Sequence, residues 1–125
     1  DNRFKTIIGS ETLKNTDELK KIYKHKKREF ILSLDFKNNF FLGPKNLIKN
    51  NKLWPKKTIF MILDSVGSKK RPKLIKLYNL DQKKDYYLAG GISNNKDIKF
   101  LEKKGFKGAI LSTAIHEKKI VYKNL

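Results

Sequence analysis

No cysteine occurs anywhere in this chain. Disulfides, thiolate nucleophiles and cysteine-ligated metals are therefore excluded, and a reducing, cytoplasmic location becomes the expectation. Histidine is almost as scarce. His25 and His116 are its two instances, and neither has a carboxylate or second histidine at ligand spacing, so no metal site is expected. No apolar run approaches membrane-spanning length, and the first residues show no basic segment followed by an apolar stretch, so no membrane partner is expected. The chain opens on Asp1 instead of methionine, which suggests a fragment or a processed form.

Acidic residues are also few, 12 against 30 lysines and arginines, which leaves a formal net charge of +18. Such an excess invites a nucleic-acid partner, because phosphate binding scales with cationic contacts. Yet Arg3, Arg28 and Arg71 are the only arginines. Proteins that read bases or clamp phosphates favour the planar guanidinium fork, and the lysines here are spread along every segment among asparagine and isoleucine. A solvated basic surface with only nonspecific attraction to nucleic acid is the better reading, with a dedicated RNA or DNA module as its alternative.

The 125 residues, 38% hydrophobic and 34% charged, suffice for one domain with a real core, taken as residues 1–125. Residues 4–8 read as a buried strand closed by Gly9-Ser10. Thr16 offers a cap for a helix whose stripe is Leu19, Ile22 and Tyr23, and the lysines from Lys24 suit its negative end. A second strand runs from Phe30 to Phe36, followed by an asparagine turn at Asn38-Asn39 between short extended arms. Leu47, Ile48, Leu53 and Trp54 suggest one short helix. A third strand spans Thr58 to Leu63, and Pro72 opens a helix carrying Leu74, Ile75, Leu77 and Tyr78.

The stretch from Asp85 to His116 has the clearest pattern. Tyr86 to Ala89 forms a strand and Gly90-Gly91 a sharp turn. Ser93 caps a helix with Ile98 and Leu101 on one face, Gly105 stops it, and Gly108 to Leu111 returns as a strand. A last extended piece is expected at Ile120 to Tyr122. Strand ends thus fall near Gly9, Asp35, Asp64, Gly90 and Ser112, about one βα unit apart. That alternation predicts an α/β fold of about five parallel strands, either a doubly wound sheet or a (β/α) barrel too short to close alone.

Taken together, the loop motifs resemble the carboxy-terminal half of the histidine-biosynthesis barrel family. Its members are the phosphoribosylformimino-aminoimidazole carboxamide ribotide isomerase and the cyclase subunit of imidazole glycerol phosphate synthase. Ile7-Ile8-Gly9-Ser10-Glu11-Thr12-Leu13 is similar to the family's fourth strand and loop, and Phe30 to Asp35 to its fifth. Leu63-Asp64-Ser65-Val66-Gly67-Ser68 is similar to the sixth, and the stretch from Asp85 to the seventh and eighth.

The resemblance implies a partial TIM barrel, specifically a half-barrel, with its chemistry at the carboxy-terminal ends of the strands. It implies a phosphorylated sugar or ribotide as ligand, no cofactor, and an Amadori-type aldose-ketose isomerisation that needs one acid and one base. Asp35 takes the catalytic acid position on the fifth strand. Gly9 and Ser10 would hold one phosphate through backbone N–H groups, and Gly90, Gly91, Ser112 and Thr113 the other. The alternatives are a strand-end aspartate that caps local backbone and glycines that only permit close packing.

This chain departs from the family in three ways. The first-strand aspartate has no counterpart, the sixth-strand threonine maps onto Met61, and the aspartate of the following loop maps onto Val66. A lone acid cannot serve both proton transfers, so the 125 residues by themselves are predicted to be inactive. An open half-barrel is also expected to form a homodimer or to join a complementary amino-terminal half.

Overall fold

Three β-branched residues in a row make Thr6–Gly9 a short strand, β1, which turns at once into a 3-10 turn, Ser10–Thr12. The computed structural model describes residues 6–26, 29–38, 40–63, 80–81, 83–90 and 95–110. Helix α1 follows at Thr16–Lys26. Its cap is Asn15, one residue earlier than expected: the Asn15 side chain accepts the Glu18 N–H at 3.1 Å, and Glu18 reaches back to the Lys14 N–H at 3.1 Å. The asparagine side chain thus caps the first turn, and Glu18 reaches past it to the residue before the cap.

Strand β2 (Phe30–Lys37) is the longest in the sheet. The asparagine turn after it puts Asn38 at φ 52°, a left-handed conformation that asparagine tolerates. The chain then doubles back as β3 (Phe40–Leu42), antiparallel to β2. Residues 45–53 split into helix α2 (Lys45–Lys49) and a 3-10 turn, Asn51–Leu53, where one helix was expected. The Asn50 side chain accepts the Lys52 N–H at the break, a local bond that competes with a continuous helix. Strands β4 (Lys57–Ile62) and β5 (Asp85–Ala89), helix α3 (Asn95–Lys103) and strand β6 (Gly108–Ile110) complete the described elements. Helix α3 stops at Gly105 as expected. The N–H groups of Phe106 and Gly105 bond the carbonyls of Leu101 and Glu102 in a Schellman pattern.

The sheet order is β1-β2-β4-β5-β6, with every pair on this path parallel and β3 attached to the end of β2. A doubly wound sheet reverses direction near its middle, whereas here each new strand is added on the same side. That is the progression of a (β/α) barrel, and the chain is a partial one.

The pleat divides β2, β4 and β5 cleanly between two faces. Leu32, Leu34 and Phe36 align with Phe60, Ile62, Tyr86 and Leu88 on one face, where Leu19 of α1, Leu101 of α3, Leu47 and Trp54 cover them. Trp54 is the anchor: 1% exposed, it meets Phe60 edge-on at 5.8 Å and donates its indole N–H to the Leu47 carbonyl. Lys84 ties the same corner by donating to the carbonyls of Asn51 and Trp54.

The other face carries two cross-strand rows in register. One is Gly9, Ser33, Ile59, Tyr87 and Gly108, and the other is Asp35, Met61, Ala89 and Ile110. The large exposed residues Ile7 and Ile110 sit on this face at the two outer strands. No described helix is long and apolar enough to cross a membrane.

Candidate functional site

Asp35 lies near the carboxy-terminal end of β2, on the face turned away from the helices, and is 7% exposed. A carboxylate so placed requires hydrogen-bond donors. Two are present: the Ser33 hydroxyl donates to Oδ1 at 2.8 Å, and the Glu11 backbone N–H donates to Oδ2 at 3.2 Å. Ser33 reaches it because residues two apart on a strand share a face. Glu11 reaches it because the chain turns at Gly9 and aims the first amides of the 3-10 turn back at β2.

Ser10 has a different task. β1 leaves β2 at Gly9, and β2 takes β3 as its next neighbour, with Asp35 opposite Leu42. At this change of partner the fully buried Ser10 hydroxyl accepts the Asp35 N–H at 2.9 Å and donates to the Leu42 carbonyl at 2.7 Å. A hydroxyl fits there because it both donates and accepts. Gly9 supplies room: a Cβ on it would fall 3.1 Å from Asp35 Oδ2.

Asp35, Gly9 and Ser10, chosen from the sequence for separate catalytic and phosphate roles, thus form one connected cluster around the carboxylate. Gly90 sits farther along the same rim. It follows Ala89, which is in register with Met61, itself in register with Asp35, so two strand spacings, about 10 Å, separate the rows of Asp35 and Ala89. Gly90 has φ 85°, a left-handed conformation that a side chain would strain. Met61 is the immediate neighbour of Asp35 on β4. Gly91, Ser112 and Thr113 lie outside the described residues. So do Asp64, Val66, Ser93, His116, the helix expected after Pro72 and the strand expected at Ile120.

Asp97 is buried in the first turn of α3, the helix that follows the Gly90 turn, and its negative charge complements the positive end of that helix. At the opposite end of the sheet, burial pushes the Tyr86 phenol above its ordinary value. The Asp81 N–H that it accepts pulls the other way, and the Asp81 charge adds to the rise.

Sequence reasoning missed Ser33 and the part Gly9 plays beside Asp35. A signal for Ser33 was present: a hydroxyl two residues before a strand-end aspartate shares its face. For Gly9, only the pairing of β1 with β2 reveals what fills the space above it.

A parallel sheet wound in one direction, with a hydrogen-bonded carboxylate at a strand's carboxy-terminal end, defines a piece of a (β/α)-barrel protein. Residues 3–121 match the family described as histidine biosynthesis protein, and the chain belongs to that family. It is similar to Uncharacterized protein MJ0703 of Methanocaldococcus jannaschii, 32% identical over 118 residues. That alignment takes in 90% of this chain and 49% of the relative, so the chain spans about half the length of the curated relative it matches.

Proposed function

We propose that this chain is the carboxy-terminal portion of an isomerase-type barrel that binds a phosphorylated sugar or ribotide, with Asp35 as its proton-transfer residue. The supporting observation is the position of Asp35: near the end of a parallel strand, on the face away from the helices, and held by two donors. An aldose-ketose rearrangement opens a sugar ring by protonating its oxygen and moves a proton between neighbouring carbons. One carboxyl acid and one base suffice for this chemistry.

Asp35 takes the acid role. The base would come from an amino-terminal half, supplied by a longer chain, a complementary protein or a second copy, so these residues alone are expected to show no turnover. The Ser10 hydroxyl is already bonded twice, so phosphate at the first loop would rely on backbone N–H groups. Gly90, Gly91, Ser112 and Thr113 are proposed for the second phosphate.

Ligand binding is tested by thermal unfolding in saturating ribulose 5-phosphate and in a pentose bisphosphate. A raised Tm is expected, because a ligand bound only to the folded state stabilises it by mass action. Gly91→Asp should abolish the rise by setting a carboxylate against the phosphate. An unchanged Tm with every phosphorylated sugar tried would overturn the ligand class. Sedimentation at micromolar concentration tests the assembly, and a clean monomer would argue against the homodimer.

A further inference from the structure

A buried carboxyl group that transfers protons must be accommodated both with and without its proton, and the two donors at Asp35 differ in how they meet that demand. The Glu11 amide is a donor only, so it suits an oxygen that stays unprotonated. The Ser33 hydroxyl is a donor and an acceptor. It donates to the carboxylate at Oδ1 now, and by rotating about its C–O bond it can accept from the same oxygen once that oxygen carries a proton.

We propose that Ser33 is the positioning residue of this site: it holds Asp35 in both protonation states and directs the proton to Oδ1, while the Glu11 amide keeps Oδ2 an acceptor. The proposal rests on the reading of Asp35 as the proton-transfer residue. A proton on Oδ2 would meet the Glu11 N–H, which can only donate and has no lone pair to accept it, whereas a proton on Oδ1 meets the Ser33 hydroxyl, which can accept it. Ser33 is 5% exposed, and it lies two residues from Asp35 on one face of one strand, so the pair is built into β2 and needs no loop to form. Across the sheet Ser33 is in register with Gly9, which leaves the carboxylate its space.

Among the described residues, the charged groups around the pair are few. Glu11 is exposed on the 3-10 turn, and Lys37 is exposed two residues further along β2. The neighbours of Asp35 on β3 and β4, Leu42 and Met61, carry no charge.

The test follows the Asp35 side-chain carboxyl resonance against pH in the whole chain labelled with 13C-aspartate. The hydroxyl serves both states but bonds the charged carboxylate more strongly than the neutral acid, so Ser33→Ala should raise the Asp35 midpoint by about half to one pH unit. Ser33→Thr, which keeps the hydroxyl, should restore the wild-type midpoint, and Ser33→Cys, a weak donor of similar size, should fall between them. Thr58→Val serves as control: Thr58 is a buried hydroxyl bonded to the Pro55 carbonyl on the opposite face, and its loss should leave the midpoint unchanged. If Ser33→Ala does not fold, the cysteine variant decides.

An alanine or cysteine midpoint equal to wild type would overturn the proposal, as would an equal rise in the Thr58 variant. Failure of the underlying reading shows elsewhere: turnover that survives Asp35→Asn in the completed barrel would remove Asp35 from catalysis without altering the titrations.

Discussion

The Ser10 hydroxyl donates to the Leu42 carbonyl at 2.7 Å while it accepts the Asp35 amide at 2.9 Å, so one side chain joins the first loop, strand β2 and the returning arm. Ser10→Ala would leave a buried amide and a half-buried carbonyl without that partner. A loss of about 2–4 kcal/mol in unfolding free energy is expected, read by urea denaturation. Unchanged stability combined with lost sugar-phosphate binding would instead assign the hydroxyl to the ligand.

Gly9→Ala separates backbone tolerance from crowding at the carboxylate. Gly9 has φ −86° and ψ 132°, which alanine adopts freely, so the only obstacle is the 3.1 Å approach to Asp35 Oδ2. Replacing glycine where the backbone permits also stabilises by about 0.4–1 kcal/mol through the unfolded chain. Stability should therefore change little, while the Glu11 amide proton, bonded to that oxygen, shifts clearly in a 1H-15N spectrum. An unmoved Glu11 resonance would mean that Asp35 does not occupy the space above Gly9.

Much of this arrangement was legible in the sequence because it is local. The apolar strand runs at Phe30 and Tyr86, the Gly105 stop and the position of Asp35 near a strand end each depend on a few neighbouring residues. Loop motifs taken in order also pointed to a barrel, and the strand order agrees. Relationships that depend on distant pairing were not legible. The asparagine turn did announce the short returning arm at Phe40, but nothing near Gly9 or Ser10 reveals that both are shaped around an aspartate 25 residues beyond Ser10. The split of residues 45–53 and the Asn15 cap were missed for a smaller reason. Asparagine side chains compete with backbone partners, and hydrophobic spacing does not register that competition.

Trp54 should dominate the stability of the helix-covered core. Its ring meets both Phe60 and Tyr86 edge-on, and its N–H is bonded, so truncation opens a cavity and leaves the Leu47 carbonyl without its indole donor. Trp54→Ala is expected to cost about 3–5 kcal/mol, and Trp54→Phe clearly less, because the phenyl ring keeps most of the packing. Far-ultraviolet circular dichroism during urea unfolding checks both. Equal losses would show that the indole bond, and not the filled volume, carries the contribution.

Alkaline stability should report on Tyr86. Its phenol lies above the ordinary value of 10.0, chiefly through burial. The folded state therefore favours the protonated, neutral form more than the unfolded chain does. That preference stabilises the protein fully below pH 10, where both states are protonated, and is lost as pH rises through the higher folded value. Urea midpoints measured from pH 8 to pH 11.5 should fall at the upper end of this window. Tyr86→Phe loses the bond to the Asp81 amide and should begin lower at pH 8, yet decline less steeply, because a phenyl ring has no proton to release. A decline as steep as wild type would assign the alkaline loss to other groups, such as the lysines that dominate the surface.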